Sequence, residues 1–427
     1  MTLKFQNIKS STWANFFIPI ILYGLGFLFN IWSISLFAFI LGLLSIKKEY
    51  LLIFFLSASF FNIMQLDNTP FFGSLITTFL GVFIILIRQN KISRKAGYAL
   101  MFSLLGSVII IFNFFIFSFD KFYIKTSIKS SLQLLFILFL IAVFSLLNER
   151  FIIKNIEIVK QHFHKFLICY LTIAIFFAFD DRLDAYTGAQ CLAFQLAIIN
   201  LYYFNKDIPL LYKIAFLFFL VLTGSRTYVF LVLGFFLLRM LNSVSLRLKI
   251  ILFSAIPILI ISAYYVLPLL SDRFDFSDAL FLGTLTGRFH NYFVAFDLIG
   301  DKPLFGNGMG SMILTLKSYA ESRPDYIPLQ DLYYGVLERG ETNIMHNEYL
   351  RVLTEVGFIG FALFLIALFL FYKRLKTKFN RHVFYLLLIC FLIENIFTLY
   401  STGMITFFLF SLFMIYEVKQ QNNNVKV

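Results

Sequence analysis

The stretch GYALMFSLLGSVIIIFNFFIFSF, from Gly97 to Phe119, carries no charged side chain and is long enough to cross a bilayer as a helix. Comparable stretches recur along the whole chain. They leave little else to build a fold from: of 427 residues 60% are hydrophobic, 14% are charged and 60 are Phe. A soluble protein of this size cannot hide so much apolar surface. No strand-like alternation separates the stretches, which argues against a β-barrel. The expected fold class is all-α, a polytopic membrane helix bundle of about 12–14 transmembrane helices.

Spans are expected near 13–29, 31–46, 50–65, 72–87, 97–118, 130–147, 166–179, 191–204, 209–223, 227–241, 249–270, 350–372, 383–399 and 402–416. The last two also fit a re-entrant hairpin. No cleavable leader is expected, because the first apolar stretch lacks a small-residue cleavage site and another follows at once. With the N-terminus inside, the inner loops hold Lys47 and Lys48, Arg88 to Lys95, Arg150 to Lys165, Arg239 to Lys249, and Lys373 to Arg381. The short outer loops hold far fewer cations, among them Lys121, Arg182 and Arg226. That asymmetry follows the positive-inside rule, and reading 13–46 as one span would invert it. The net charge of +13 is thus accounted for by retained loops, and no nucleic-acid partner is expected. Cys169, Cys191 and Cys390 all sit in apolar stretches and suggest packing, with no disulfide framework.

Three regions result: a helix bundle over 1–270, a large outer loop over 271–349, and C-terminal helices with a short tail over 350–427. A loop so long is usually functional. Within it, Phe289, Tyr292, Phe293, Phe296 and Ile299 share one face of a predicted helix that Thr286 would cap and that could lie along the membrane surface. The run KPLFGNGMGS, with Pro303, Gly306, Gly308 and Gly310, ends it.

Beyond the loop, HNEYLRVLTEVGFIG enters a span. His346 falls on roughly the same helical face as Leu350, Leu353 and Gly357, and Gly357 and Gly360 would let a neighbouring helix approach closely. His346 suits a base at a water-filled mouth; it equally suits an interfacial residue capping a helix end. Arg226, in LTGSR, and Arg288, in TGR, are outward-facing arginines, a type that forks well onto phosphate oxygens. Ion pairing or snorkelling would also explain them. The loop with Asp180, Asp181, Arg182, Asp184 and Tyr186 fits sugar contacts or an ordinary solvated loop. Asp272, Asp275 and Asp278 offer oxygen ligands for a divalent cation, a weak signal without further ligand spacing. Glu394, an acid inside an expected span, is a functional candidate by default. His290 stays ambiguous, and His162, His164 and His382 belong to inner basic loops. No P-loop, HExxH, GxSxG or paired-cysteine site is present.

The order GSR at a span boundary, TGR opening the large loop, KPLFGNGMG, then HNEYLRVLTEVGFIG resembles the O-antigen ligase and O-antigen polymerase superfamily, most strongly from Leu222 to Leu370. The resemblance implies a glycosyltransferase on the periplasmic face of the bacterial inner membrane, moving a glycan from undecaprenyl diphosphate to an acceptor hydroxyl without a cofactor or metal. It implies that Arg226 and Arg288 bind the diphosphate and that His346 orients or deprotonates the acceptor. Arg182, Asn347, Tyr349, His290 and Glu394 are the surrounding candidates for substrate binding. The implied partners are the lipid-linked donor, a glycan acceptor, the bilayer and a chain-length regulator. Polymerase is the leading activity, with the ligase that loads lipid A core as the nearest alternative. A lipid flippase is a further alternative, though the paired, interrupted halves of such a transporter are missing.

Overall fold

A computed structural model describes residues 17–23, 25, 32–60, 80–89, 101, 104–108, 110, 111, 135, 138–140, 143, 146–178, 183, 189–204, 208–243, 292, 295–308, 311, 321, 322, 347–374, 406, 409, 410 and 413. The elements are α1 (Trp32–Ser45), a 3₁₀ turn (Lys48–Tyr50), α2 (Leu51–Ser59), α3 (Glu149–Ile158), a π turn (Val159–Phe163), α4 (His164–Ala178), α5 (Ala189–Tyr203), α6 (Leu210–Leu222), α7 (Arg226–Ser243) and α8 (Glu348–Arg374). Shorter helical pieces lie at 17–23, 80–88 and 295–301. No strand longer than a single residue occurs among the described residues, so this part of the chain is all-α.

Long-range contacts show how the helices alternate. Tyr23 and Phe39 lie with ring centroids 5.4 Å apart, and Ser35 Oγ donates to Tyr23 O at 2.9 Å. In one continuous helix residues this far apart in sequence would be separated by about 24 Å, so the chain reverses between them. One end of the bundle gathers side chains that close helix termini. Arg88 donates to the carbonyls of Leu43 and Ile46 at the end of α1. Gln89 bridges Leu146 O and Asn148 N. Asn155 accepts from Leu52 N at 3.0 Å and donates to Lys48 O and Phe151 O. Lys47, Lys48, Arg88, Arg150 and Lys154 crowd the same end, where the charge asymmetry expects them. At the opposite end, Leu183 N donates to Leu222 O at 2.8 Å.

Residues 149–165 differ from expectation. They are not a loop: α3, the π turn and α4 form one continuous helix from Glu149 to Ala178. Phe151, Ile152, Asn155, Ile156, Val159 and Phe163 are buried at helical spacing, so the basic residues occupy only the other face.

The core runs through α5, whose residues from Cys191 to Tyr203 are all buried. A helix apolar on every side belongs in such a position. Tyr202 and Phe163 both pack on Phe410, and Gln195 Nε2 donates to Thr406 Oγ1 at 3.1 Å. The pairs 195 with 406 and 202 with 410 make that late segment run parallel to α5. Of the free cysteines described, Cys191 is buried and Cys169 exposed. Cys390 lies outside the described residues, as do the expected spans 249–270 and 383–399.

Candidate functional site

The local sequence explains the corner that presents Arg226. Gly224, at φ 66°, takes the left-handed conformation that ends α6, with its N–H on Val221 O at 2.9 Å. Ser225 then starts α7 by accepting from Val229 N through its carbonyl, and Arg226 is the first residue of the new helix. The bond from Leu183 N to Leu222 O fastens Leu183 beside this corner. Arg182 itself lies outside the described residues, as do Arg288, His290, His346 and Glu394 and the aspartates of both acidic loops.

Asn347, the residue after His346, is buried and caps α8: its Oδ1 accepts from Leu350 N at 3.1 Å and its carbonyl from Arg351 N at 3.0 Å. Tyr349 is half-buried and faces Phe361 and Phe364, with centroids 6.4 and 6.2 Å away. Those distances carry more than a packing statement. In a straight helix Tyr349 and these two rings would be separated by about 18 and 22 Å. The helix is therefore not a rod. It breaks at Gly357, with φ 69° and ψ −173°, a conformation essentially reserved for glycine. Two arms, Glu348–Val356 and Phe358–Arg374, fold toward each other across the break.

The break leaves two sets of unpaired backbone groups, the last carbonyls of the first arm and the first N–H groups of the second. A single segment of the large loop closes both. Asn307 N donates to Thr354 O at 2.9 Å and Gly308 N to Glu355 O at 3.1 Å. Phe358 N donates to Pro303 O at 2.8 Å and Ile359 N to Leu304 O at 3.2 Å. The fit is backbone on backbone. A Cβ on Gly306 would stand 2.5 Å from the Glu355 carbonyl, and one on Gly357 would overlap Gly306 N and Leu304 O. Asn307 extends the junction by donating through Nδ2 to Leu298 O, the same carbonyl that receives Lys302 N. Thus the helix at 295–301, the KPLFGNG run and the bend in α8 form one unit. The glycine spacing had suggested a neighbouring helix against Gly357 and Gly360. The neighbour at Gly357 is instead loop backbone, and at Gly360 a Cβ would meet Val356 of the same helix.

One charged pair escaped the sequence reading. Arg351 Nη2 and Glu355 Oε2 are 3.2 Å apart on the first arm, each side chain only 2% exposed. Burying an ion pair this deeply is costly. Arg and Glu one helical turn apart in a greasy stretch were the visible sign. Val352 and Val356 on the same arm join the core that also contains Leu222, Tyr228 and Val229.

Two joints therefore stand among the described residues: Leu183 on the end of α6 that leads through Gly224 into α7, and the 303–308 segment on the bend in α8. No curated protein matches the chain. Residues 211–365 match the model of the family described as O-Antigen ligase; the stretch holds the Gly224 corner, the 303–308 segment and the bend in α8, with Leu183 outside it, and the match supports the O-antigen ligase/polymerase superfamily.

Proposed function

We propose that this chain is a multi-pass inner-membrane glycosyltransferase that polymerises undecaprenyl-diphosphate-linked repeat units on the periplasmic face. The observation that carries the reading is the family match over 211–365, which contains Arg226, Arg288 and His346 in order. In this reading the acceptor hydroxyl oxygen attacks the anomeric carbon of the donor. The bond from that carbon to the diphosphate oxygen breaks, and the electron pair leaves with the diphosphate. Arg226 and Arg288 stabilise the charge gathering there, which preorganised cations do well away from bulk water. His346 takes the hydroxyl proton. Attack opposite the leaving group inverts the anomeric centre. Asn347 supports this assignment by fixing the first turn of α8 directly after His346. Arg182, Tyr349, His290 and Glu394 remain assigned to substrate contacts.

The ligase is the second reading, because the matching family carries that description. Purified protein supplied with the lipid-linked repeat unit alone separates the two. A ladder of longer lipid-linked glycans, abolished by His346→Ala, is the expected result. Product that forms only after core lipid is added identifies a ligase. Transport of the lipid without any glycan transfer would overturn both.

A further inference from the structure

The bend at Gly357 divides α8 into two chemically different arms. The first, EYLRVLTEV, contains Glu348, Arg351, Thr354 and Glu355, and Arg351, Val352, Thr354, Glu355 and Val356 are all buried under protein. The second runs FIGFALFLIALFLF without a charge until Lys373. Its Phe358, Ile359, Leu365, Ile366 and Phe369 are exposed at helical spacing and form an apolar stripe. At about 1.5 Å per residue, Phe358–Arg374 measures about 25 Å, close to the hydrocarbon thickness of a bilayer.

The stripe continues onto the large loop. The backbone bonds from Phe358 and Ile359 to Pro303 and Leu304 set Leu304, 58% exposed, and Phe305, 49% exposed, at the head of the second arm. Phe296, also 58% exposed, projects from the tethered helix 295–301, which packs inward through Ala295 and Leu298. The exposed acids Asp297 and Asp301 lie about 100° and 140° round that helix from Phe296. Large exposed apolar side chains continuous with an apolar stripe and rimmed by the polar Asp297, Asp301 and Lys302 mark an interaction surface, and beside a helix of this length a membrane fits it.

Building on the multi-pass reading above, we propose that Gly357 marks the outer membrane surface. Only Phe358–Arg374 crosses the bilayer. The first arm and the 295–308 segment lie over its outer end, with Phe296, Leu304 and Phe305 inserted into the hydrocarbon edge of the outer leaflet. Because the first arm bends back instead of continuing the span outward, Asn347 at its start stays near headgroup depth. An unbent helix would lift it by about 15 Å.

Tryptophan quenching in reconstituted vesicles tests this. In a background with Trp13 and Trp32 changed to Phe, Phe305→Trp and Ile366→Trp report the loop and the middle of the second arm. Phospholipids brominated near the headgroup should quench position 305 roughly twofold or more better than lipids brominated near the chain ends, and position 366 should show the reverse order. Leu304→Trp replaces Phe305→Trp should that variant fail to reach the membrane. Position 305 unquenched beside a quenched 366 overturns the anchor while leaving the multi-pass reading intact. Deep quenching at 305 overturns the surface assignment of Gly357, because the loop would then be re-entrant. No quenching at 366 removes the multi-pass reading, and this inference with it.

Discussion

The bend at Gly357 and the long helix Glu149–Ala178 solve the same problem in opposite ways. Each is a helix whose path must change. The long helix keeps its continuity by widening through one π turn, Val159–Phe163, and neighbouring side chains take up the irregularity. Tyr203 donates its hydroxyl to Val159 O at 3.1 Å, and Asn155 reaches across to Leu52 and Lys48. At Gly357 continuity is abandoned, and a second piece of backbone caps both ends. Side-chain clamps can be weakened one bond at a time. A backbone joint without space for a Cβ stands or falls as a whole, which suits a joint between the two segments assigned to one chemistry.

Breaking that joint should have the largest effect. Gly357→Ala combines an unfavourable backbone conformation, a clash with Gly306 and Leu304, and the loss of capping bonds, on the order of 5 kcal/mol or more together. Most of the protein should fail to survive detergent extraction, as read by size-exclusion profile and thermal melting, and Gly306→Ala should follow it. A Gly357→Ala protein as stable as the parent would mean that the loop does not cap the bend.

The ion pair beneath the joint comes next. Arg351→Met leaves the Glu355 carboxylate buried without this partner and should cost about 3 kcal/mol. Replacing both, as Arg351→Met with Glu355→Leu, should recover most of that loss. A double-mutant cycle on melting data measures the coupling. Additive losses would show that the two charges act separately, and that the first arm owes its place to apolar packing alone.

Hydropathy made much of the bundle legible. The segments 191–204, 209–223 and 227–241, expected as spans, are helices α5, α6 and α7 within a few residues, because an apolar helix ends where charge or a Gly-Ser corner begins. The basic face of α3 hid its buried stripe, since Arg150, Lys154 and Lys160 read as loop before Phe151, Ile152, Ile156 and Val159 read as a period. The bend was out of reach for a different reason. Gly357 sits in a sequence of good helix formers, and its conformation is imposed by a partner some fifty residues upstream that pairs through backbone groups common to every residue. The Oδ1 bond of Asn347 to Leu350 N is a capping bond that the HNEYL spacing also spells, beside its expected place among the substrate contacts.

On the clamped side, Asn155→Ala should cost about 2 kcal/mol, since it strands Leu52 N and removes the link to Lys48. The loss should be smaller than at Gly357 because the helix beneath the clamp remains continuous. Equal losses at the two sites would erase the contrast between clamp and joint.

The smallest effect is a pH response confined to the clamped end. His164 is buried edge-on against Tyr212 and Tyr203, with centroids 4.7 and 5.9 Å away. Desolvation lowers its pKa below the usual 6.5, Lys165 and His162 push the same way, and a hydrogen bond with the Lys160 backbone opposes them. His162 is lowered as well, by desolvation and then Lys165. The folded state therefore binds fewer protons than the unfolded chain below about pH 6.5. The stability this contributes is fully present above that pH and is lost as pH falls through the lowered folded value. Melting temperature in detergent should be level near pH 7–8 and decline toward about pH 5. His164→Phe should flatten the decline in part, and adding His162→Gln should flatten it further. A decline unchanged in the double variant would move the acid sensitivity to the carboxylates. The buried imidazole would then be a packing group like the tyrosine rings against it.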